Sequence, residues 1–268
     1  MRYPIYQVDA FAGEIFKGNP AAVMPLEAWL PDETMQALAA ENNLAETAFF
    51  VRETGANGAD FHIRWFTPRI EVPLCGHATL ASAWVIFNKL GWAENSIRFH
   101  SRSGPLGVQK SPNDWLVLDF PNLQIEEQKT PAIILEAVEN APATAFHVPS
   151  DTNDMIVLEN EAAVRAAQPD MRILKQLGNM GLIVTAPGDQ ADFVSRYFAP
   201  GSGIDEDPVT GSIHSVLVPY WAEKLGKTKL EARQLSARGG VLRCELKGDR
   251  VAIAGQAAFY MEGTVHLE

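Results

Sequence analysis

The sequence predicts an α+β protein of two pseudo-symmetric domains, each a sheet wrapped around one central buried helix. The chain aligns with itself at one constant offset, which places Pro73 on Pro208 and Gly76 on Gly211. A long, mostly apolar segment that closes with Leu-Gly follows in both copies, and segments typical of strands surround it. Two copies, each about half the chain, indicate a pair of similar domains, because a solenoid needs at least about three shorter repeats.

Segments rich in β-branched and aromatic residues, bounded by Gly, Pro and Asn, predict the strands of the first half. They lie at 6–11, 21–24, 44–51, 61–66, 97–100, 104–108 and 115–120. Pro31 and Asp32 start a helix that runs to about Glu41. The segment 77–90 is apolar all around a helical wheel, which indicates a helix buried on every side. We also expect a Gly-rich turn between Gly55 and Gly58.

The second half repeats the pattern after a polar segment at 122–129, which we take as the boundary between domains 1–125 and 126–268. Thr130 and Asn160 are expected to cap two short helices, and 212–225 is the second buried helix. Pro219 should bend that helix, because proline removes one backbone hydrogen bond. Further strands are predicted at 154–158, 181–185, 193–198, near Leu235, and at 241–246, 251–254 and 259–262.

Composition excludes several classes of function. The formal charge of −11 and the lack of a Lys/Arg cluster argue against nucleic acid as a partner. The amino-terminal residues lack the apolar core of a signal peptide, and no window approaches the ~18 apolar residues of a membrane span. The two cysteines cannot form a disulfide framework. We therefore expect a cytoplasmic protein with no membrane partner.

Three common motifs for cofactor binding or nucleophilic catalysis each lack one required glycine. Glu206 stands where a dinucleotide fingerprint needs its third Gly, and Trp221 stands where a phosphate loop needs its first. Thr210 replaces the Gly that a nucleophile elbow requires before its Ser. The six His residues show no zinc-ligand spacing with each other or with the two Cys. These failures make a metal site, a nucleotide site and a hydrolase all weak interpretations.

The starts of the two buried helices are the first candidate binding site. Gly76 and Gly211 allow a ligand to approach the backbone, and His77 and Ser212 follow them with polar side chains. A helix start offers free N–H groups and the positive end of the dipole, which suit a carboxylate or an oxyanion. In a pseudo-two-fold pair, both starts can point at one cleft. Taken singly, Ser212 could be an ordinary cap and His77 an ordinary buried imidazole.

Glu46 is the candidate acid/base. It shares one face of the predicted strand 44–51 with Leu44, Ala48 and Phe50, so a carboxylate lies in line with apolar side chains. The matching strand of the second copy, 181–185, carries no acid. From the pattern alone, a solvated strand edge explains Glu46 equally well.

Cys75 precedes the first buried helix, where a thiol could be activated by the helix dipole. Its counterpart in the second copy is Thr210, whereas a two-cysteine racemase needs one thiol on each side of its substrate. A buried structural cysteine is therefore the favoured interpretation.

Several segments in order carry a resemblance to a known family. They are NLAETAFF at 43–50, PLCGHAT at 73–79 and DEDPVTGS at 205–212, with DAF at 9–11 and GNPAAV at 18–23. With these motifs the chain resembles the PhzF-like family, the phenazine-biosynthesis isomerases and their relatives, over nearly its whole length. The resemblance implies the fold of diaminopimelate epimerase: two domains, each a curled, mostly antiparallel sheet around a central helix, with the site in the cleft between them.

The resemblance also implies an activity and its residues. Glu46 would be the general acid/base that moves a proton between carbons of a small, cyclic carboxylic acid. His77 and Asp207 would assist it or bind the substrate, and Gly76, Gly211 and Ser212 would line the site. A homodimer without cofactor or metal is implied as well. His214 matches the family pattern, whereas Ile213 stands where relatives often carry Ala.

Two interpretations of function follow, from different classes. One is a cofactor-independent isomerase or epimerase that uses a single carboxylate. The other is a non-catalytic protein that binds a small molecule or a partner on the same fold. The presence of Glu46, His77 and Asp207 together favours the enzyme.

Overall fold

The computed structural model describes residues 1–53, 58–150 and 153–268, and the predicted turn at Gly55 to Gly58 falls mostly outside these ranges. The chain divides into two compact units. The first comprises Met1–Asp119 together with Ile253–Glu268, and the second comprises Phe120–Ala252. No helix in the described ranges combines the length and the apolar character needed to cross a membrane.

The elements of the first copy are strands around one long buried helix. The strands are β1 (Arg2–Ala10), β2 (Asn19–Leu26), β3 (Glu46–Arg52), β4 (Phe61–Phe66), β5 (Glu71–Val72), β6 (Ser96–Ser101), β7 (Gly104–Ser111) and β8 (Trp115–Pro121). The helices are α1 (Asp32–Asn42) and α2 (Gly76–Asn88).

The second copy adds the remaining elements. Its strands are β9 (Glu126–Lys129), β10 (Thr144–Val148), β11 (Asn153–Val157), β12 (Gly181–Pro187), β13 (Phe193–Phe198), β14 (Lys229–Gln234), β15 (Gly240–Lys247), β16 (Arg250–Gly255) and β17 (Ala257–His266). Its helices are α3 (Ala132–Ala137), α4 (Glu161–Ala166), α5 (Met171–Leu174) and α6 (His214–Leu225).

The repeat in the sequence is also a repeat in strand pairing. In the first unit β1–β2 is antiparallel, β2–β3 parallel, β3–β4 antiparallel, β4–β6 parallel and β6–β7 antiparallel. In the second unit β10–β11, β11–β12, β12–β13, β13–β14 and β14–β15 follow the same alternation. Each unit is thus a mostly antiparallel sheet with the two parallel contacts at equivalent places.

The units differ from the predicted boundaries 1–125 and 126–268. The carboxyl-terminal strand β17 pairs antiparallel with β1 from Arg2↔His266 to Ala10↔Ala257, so the end of the chain belongs to the first unit. In the same way β9, which follows β8 in sequence, pairs with β10 in the second unit. The polar segment 122–129, predicted as the domain boundary, therefore contains a strand.

Helix α2 is the core of the first unit. All of its residues except Trp84 and Asn88 are buried, as the all-round apolar pattern predicts. It packs against β1, β2 and β3. The two hydroxyls inside it turn back to the helix itself: Thr79 donates to the Cys75 carbonyl and Ser82 to the Ala78 carbonyl. Their polar groups are thereby satisfied without water.

Helix α6 begins at His214, two residues later than predicted. The N–H groups of His214 and Ser215 bond to the carbonyls of Gly211 and Ser212, so these residues form a tight turn before the helix. Pro219 lies inside α6 and cannot donate to the carbonyl of Ser215. The N–H of Leu123 donates to the Ser215 carbonyl at 3.0 Å, so this carbonyl is hydrogen-bonded although Pro219 cannot donate to it. The strand predicted near Leu235 ends at Gln234.

Candidate active site

The predicted acid/base lies beside the start of the central helix. Glu46 is the first residue of β3, and His77 is the second residue of α2. The Oε2 atom of Glu46 lies 3.2 Å from Nε2 of His77, and the side chains are only 13% and 5% exposed. A solvated strand edge does not describe Glu46, since its carboxylate faces a buried imidazole.

Asn19 fixes the proton of His77. Its side-chain nitrogen Nδ2 lies 3.2 Å from Nδ1 of His77, and an amide N–H group can only donate. Nδ1 is therefore the acceptor, which leaves the ring proton of the neutral imidazole on Nε2, facing Glu46. Burial lowers the pKa of His77 to about 3, so the ring is neutral at physiological pH.

Asn19 was not predicted as a site residue. It is completely buried as the first residue of β2, and β2 and β3 run parallel from the same edge, with Ala21 opposite Glu46. A polar residue that opens an apolar strand was the available signal. Its partner His77 lies 58 residues away, and that contact required the fold.

Cys75 lies next to this pair. It is the residue that precedes α2, it is buried, and its Sγ atom lies 3.4 Å from Nδ1 of His77. The thiol thus meets the side of the ring that also receives Asn19. One ligand atom each of Glu46, Cys75 and His77 lie within 4.8 Å of one another, a set that could hold a soft or borderline cation such as Zn²⁺.

Asp207 belongs to a second polar cluster, in the second unit. Its Oδ2 atom accepts the hydroxyl of Thr210 at 2.5 Å. Gln234, which is fully buried, donates to the Asp207 carbonyl at 2.8 Å and accepts the N–H of Thr210 at 2.8 Å. The counterpart of Cys75 is therefore a threonine that orients a carboxylate. Gln234 was missed by the sequence analysis, since a Gln at the end of a strand carries no local signal.

The turn before α6 presents backbone donors. Gly211 is buried, Ser212 is partly exposed, and the cap of the helix is Ile213. Ser212 is thus not the N-cap. Within the described part of the chain, the N–H groups of Gly211, Ser212 and Ile213 donate to no other residue. Successive free N–H groups at a helix start favour an anion.

His214 is the first residue of α6 and is completely buried. Its Nδ1 atom donates to the carbonyl of Thr210 at 2.9 Å. Burial lowers the pKa of His214 to about 4, against the opposing effect of hydrogen bonds to the backbone of Thr210 and Gly211. The ring is a neutral structural link between α6 and the turn that carries Asp207.

The structure therefore brings Glu46, Gly76 and His77 together in the first unit. It brings Asp207, Gly211 and Ser212 together in the second.

The family model described as "Phenazine biosynthesis-like protein" matches residues 8–263. The chain belongs to this family.

Individual members of the family agree with the match. A protein named as an uncharacterized isomerase from Pseudomonas aeruginosa is 51% identical over 268 residues, and the alignment covers 100% of both chains. A crystal structure of a phenazine biosynthesis protein of the PhzF family from Enterococcus faecalis has a TM-score of 0.92 at 48% identity, again covering 100% of both chains.

The epimerase-like fold class is confirmed by more distant likeness. A structure titled a predicted epimerase, from Pseudomonas aeruginosa, has a TM-score of 0.72 over 99% of this chain and 100% of its own. Its identity is 19%, so it bears on the fold alone. These structures share the α+β class with curled sheets around central helices, which the sequence predicts for this chain.

The two buried imidazoles of this PhzF-family chain predict its acid sensitivity. The folded-state pKa values of His77 and His214, about 3 and about 4, lie below the ordinary 6.5. Below pH 6.5 the unfolded chain binds protons that the folded chain does not. The free energy of unfolding therefore keeps its full value above pH 6.5. It decreases as the pH falls toward 4, by about 1.4 kcal/mol per pH unit for each ring.

Urea unfolding at a series of pH values between 7 and 5 measures this slope. His214→Gln should reduce the proton uptake on unfolding by about one proton, whatever it does to stability at pH 7. His266→Gln, which removes an imidazole at an exposed position of β17, is the matched control. An unaltered slope in His214→Gln would show that this ring takes up a proton in the folded state.

Proposed function

We propose that the protein is an isomerase that moves a proton between carbons of a small carboxylic acid, expected to be cyclic, with Glu46 as general acid/base. The observation that carries the proposal is the buried contact of 3.2 Å between the carboxylate of Glu46 and the imidazole of His77. The names of the curated relatives support isomerase chemistry at the level of the family.

In the proposed step, the Glu46 carboxylate removes a proton from a carbon of the substrate. The electron pair of that C–H bond moves into the conjugated system of the acid, and the same carboxyl returns the proton to another carbon or to the same one. A base near the carbon and a stabiliser of the developing negative charge are the two requirements of this chemistry. The reaction is balanced without a redox partner.

His77 is proposed to hold Glu46 and to share its proton. Its ring proton lies on Nε2, 3.2 Å from the carboxylate, and we propose that a small rotation of either side chain aligns this contact as a hydrogen bond to the ionised group. The first backbone N–H groups of α2, at Gly76 and His77, have no partner inside the helix, and they are proposed to receive negative charge that develops on the substrate.

Asp207, Gly211 and Ser212 are proposed as substrate-binding residues. The support is chemical: Asp207 is held by Thr210, and the following turn offers free N–H groups and a partly exposed hydroxyl. We further propose that the enzyme works as a cytoplasmic homodimer without a cofactor.

Proton exchange tests the proposal directly. The full-length protein is incubated in heavy water with a panel of cyclohexadiene and cyclohexene carboxylic acids, and deuterium incorporation at carbon is followed by NMR. Enzyme-dependent incorporation into at least one acid is expected. Binding of an acid without any exchange, detected by calorimetry, would instead favour the non-catalytic binding protein on the same fold.

Cys75→Ala separates the carboxylate mechanism from a thiol mechanism. We expect this variant to keep most of the exchange activity, because the second copy offers Thr210 in place of a second thiol. Some stability should be lost, since Cys75 is buried beside His77. Cys75→Ser is the matched control for size. Loss of more than about a hundredfold in folded Cys75→Ala would support a catalytic thiol.

A further inference from the structure

A second group of titratable side chains lies in the first unit and has no part in the proposed reaction. His62 is in β4 and His100 is in β6, and these parallel strands place the two residues directly opposite each other. Glu53 immediately follows β3, the other neighbour of β4. Three adjacent strands thus deliver two imidazoles and one carboxylate to one place.

The three side chains converge. The rings of His62 and His100 are stacked with centroids 4.7 Å apart and an angle of 21° between their planes. Oε1 of Glu53 lies 3.4 Å from Nδ1 of His100. One ligand atom of each residue falls within a group whose members are all within 4.8 Å of one another.

The ordinary explanation, a pair of surface histidines with a nearby carboxylate, leaves one fact without a reason. Oε2 of Glu53 is buried and has no hydrogen-bond partner in the described part of the chain. A cation bound by the Glu53 carboxylate and by one nitrogen of each imidazole would supply the missing partner of that oxygen.

The surroundings are compatible with a cation. Arg64 is the nearby positive residue on the same strand as His62. Its guanidinium is already bound by Glu71 at 2.8 Å and by Asp32 at 2.9 Å. Trp29 packs edge-on against His62 at 5.0 Å and closes one side of the group. The other side is open, since the side chain of His100 is 45% exposed, so an ion can enter and keep a water ligand.

We propose that Glu53, His62 and His100 bind one divalent transition-metal ion of the Zn²⁺ type. Two imidazoles and one carboxylate form a donor set that zinc uses in proteins, with water as the fourth ligand. Ligand atoms around tetrahedral zinc are about 3.3 Å apart, so the most widely separated pair must approach by up to about 1.5 Å. Rotation of the partly exposed Glu53 and His100 side chains provides that movement.

The bound ion would join the end of β3 to β4 and β6, and it would be independent of the isomerase reaction. Its ligands are all different from Glu46, Cys75 and His77, which form another group within the described residues that could hold a metal. The two groups are also distinguishable by chemistry, because only the latter contains a thiol.

Titration of the metal-free, full-length protein tests the proposal. Zn²⁺ is added at pH 7.5 after treatment with chelator, with binding followed by calorimetry. We expect one ion per chain in the Cys75→Ala background, where the thiol-containing group is disabled. His100→Gln and Glu53→Gln in that background should each weaken binding by at least about a hundredfold, since even changes beyond the ligands cost 10–100-fold.

His266→Gln is the matched control, because it removes an exposed imidazole elsewhere, and it should bind as tightly as its parent. In the Cys75→Ala background, Co²⁺ as a spectroscopic probe should give visible d–d bands that are lost when His100→Gln is added. Circular dichroism verifies that the variants are folded. Absence of a stoichiometric ion would overturn the proposal, as would equal affinity in folded His100→Gln or cobalt bands that depend only on Cys75.

Discussion

Glu46→Gln is expected to slow deuterium exchange into a turned-over acid by roughly 10²–10⁴-fold, the usual contribution of a positioned acid/base. Glutamine keeps the size of the side chain and can still contact His77, but it cannot accept a proton from carbon. The contact with His77 Nε2 at 3.2 Å should survive, so the fold and substrate binding should be retained. The measurement is the exchange rate by NMR, together with substrate affinity by calorimetry.

Glu41→Gln is the matched control for this prediction. It makes the same chemical change at an exposed position in α1 of the same unit, and it should leave the exchange rate unaltered. A comparable rate in wild type and Glu46→Gln would remove Glu46 as the base and direct attention to Asp207 or His77.

The stereochemistry of exchange provides a further check on the same base. The strand β12, which matches β3 in the repeat, carries no acid, so we expect the carboxyl of Glu46 both to remove and to return the proton. Deuterium should therefore enter on the face from which hydrogen leaves. Incorporation on the opposite face would require a second base.

His77→Asn is expected to reduce the exchange rate by about 10²-fold, because the shorter side chain no longer brings a donor to the Glu46 carboxylate. The loss should fall mainly on kcat if His77 acts through Glu46. In the Glu46→Gln background, His77→Asn should add little, since residues that act as one unit show strongly non-additive effects.

The double-mutant cycle of Glu46 and His77 makes this second prediction decisive. Full additivity of the two losses would mean that His77 contributes independently of Glu46, for instance by binding the substrate directly. His266→Asn, which removes an exposed imidazole, is the control and should behave as wild type. Urea unfolding of each variant at pH 7 separates a catalytic loss from a folding defect.

The sequence by itself determined the repeat and its central helices. The all-round apolar segment after Gly76 predicts a buried helix because no face of it could be left in water, and α2 is buried in that way. The order of parallel and antiparallel strand pairs is the same in the two units, and it follows from the same self-similarity. Glu46 and His77 were predicted from their places on the apolar strand and at the helix start, and the fold brings them within 3.2 Å.

Other features were decided by contacts between residues distant in the chain. The carboxyl-terminal strand joins the first unit because its backbone groups pair with β1. Nothing local in 257–266 specifies that partner. Helix α6 begins after the tight turn at Gly211 to Ile213. The Ser215 carbonyl, which has no donor inside the helix, accepts the N–H of Leu123 from another part of the second unit.

The polar residues that bind His77 and Thr210 were also decided by the tertiary structure. Asn19 sets the proton of His77 from 58 residues away, and Gln234 holds Thr210 from 24 residues away. A local pattern shows whether a side chain is polar and which face it shares, since both follow from strand and helix periodicity. Which buried donor meets which acceptor depends on the three-dimensional packing, because most buried polar groups are hydrogen-bonded to partners that only the fold brings close.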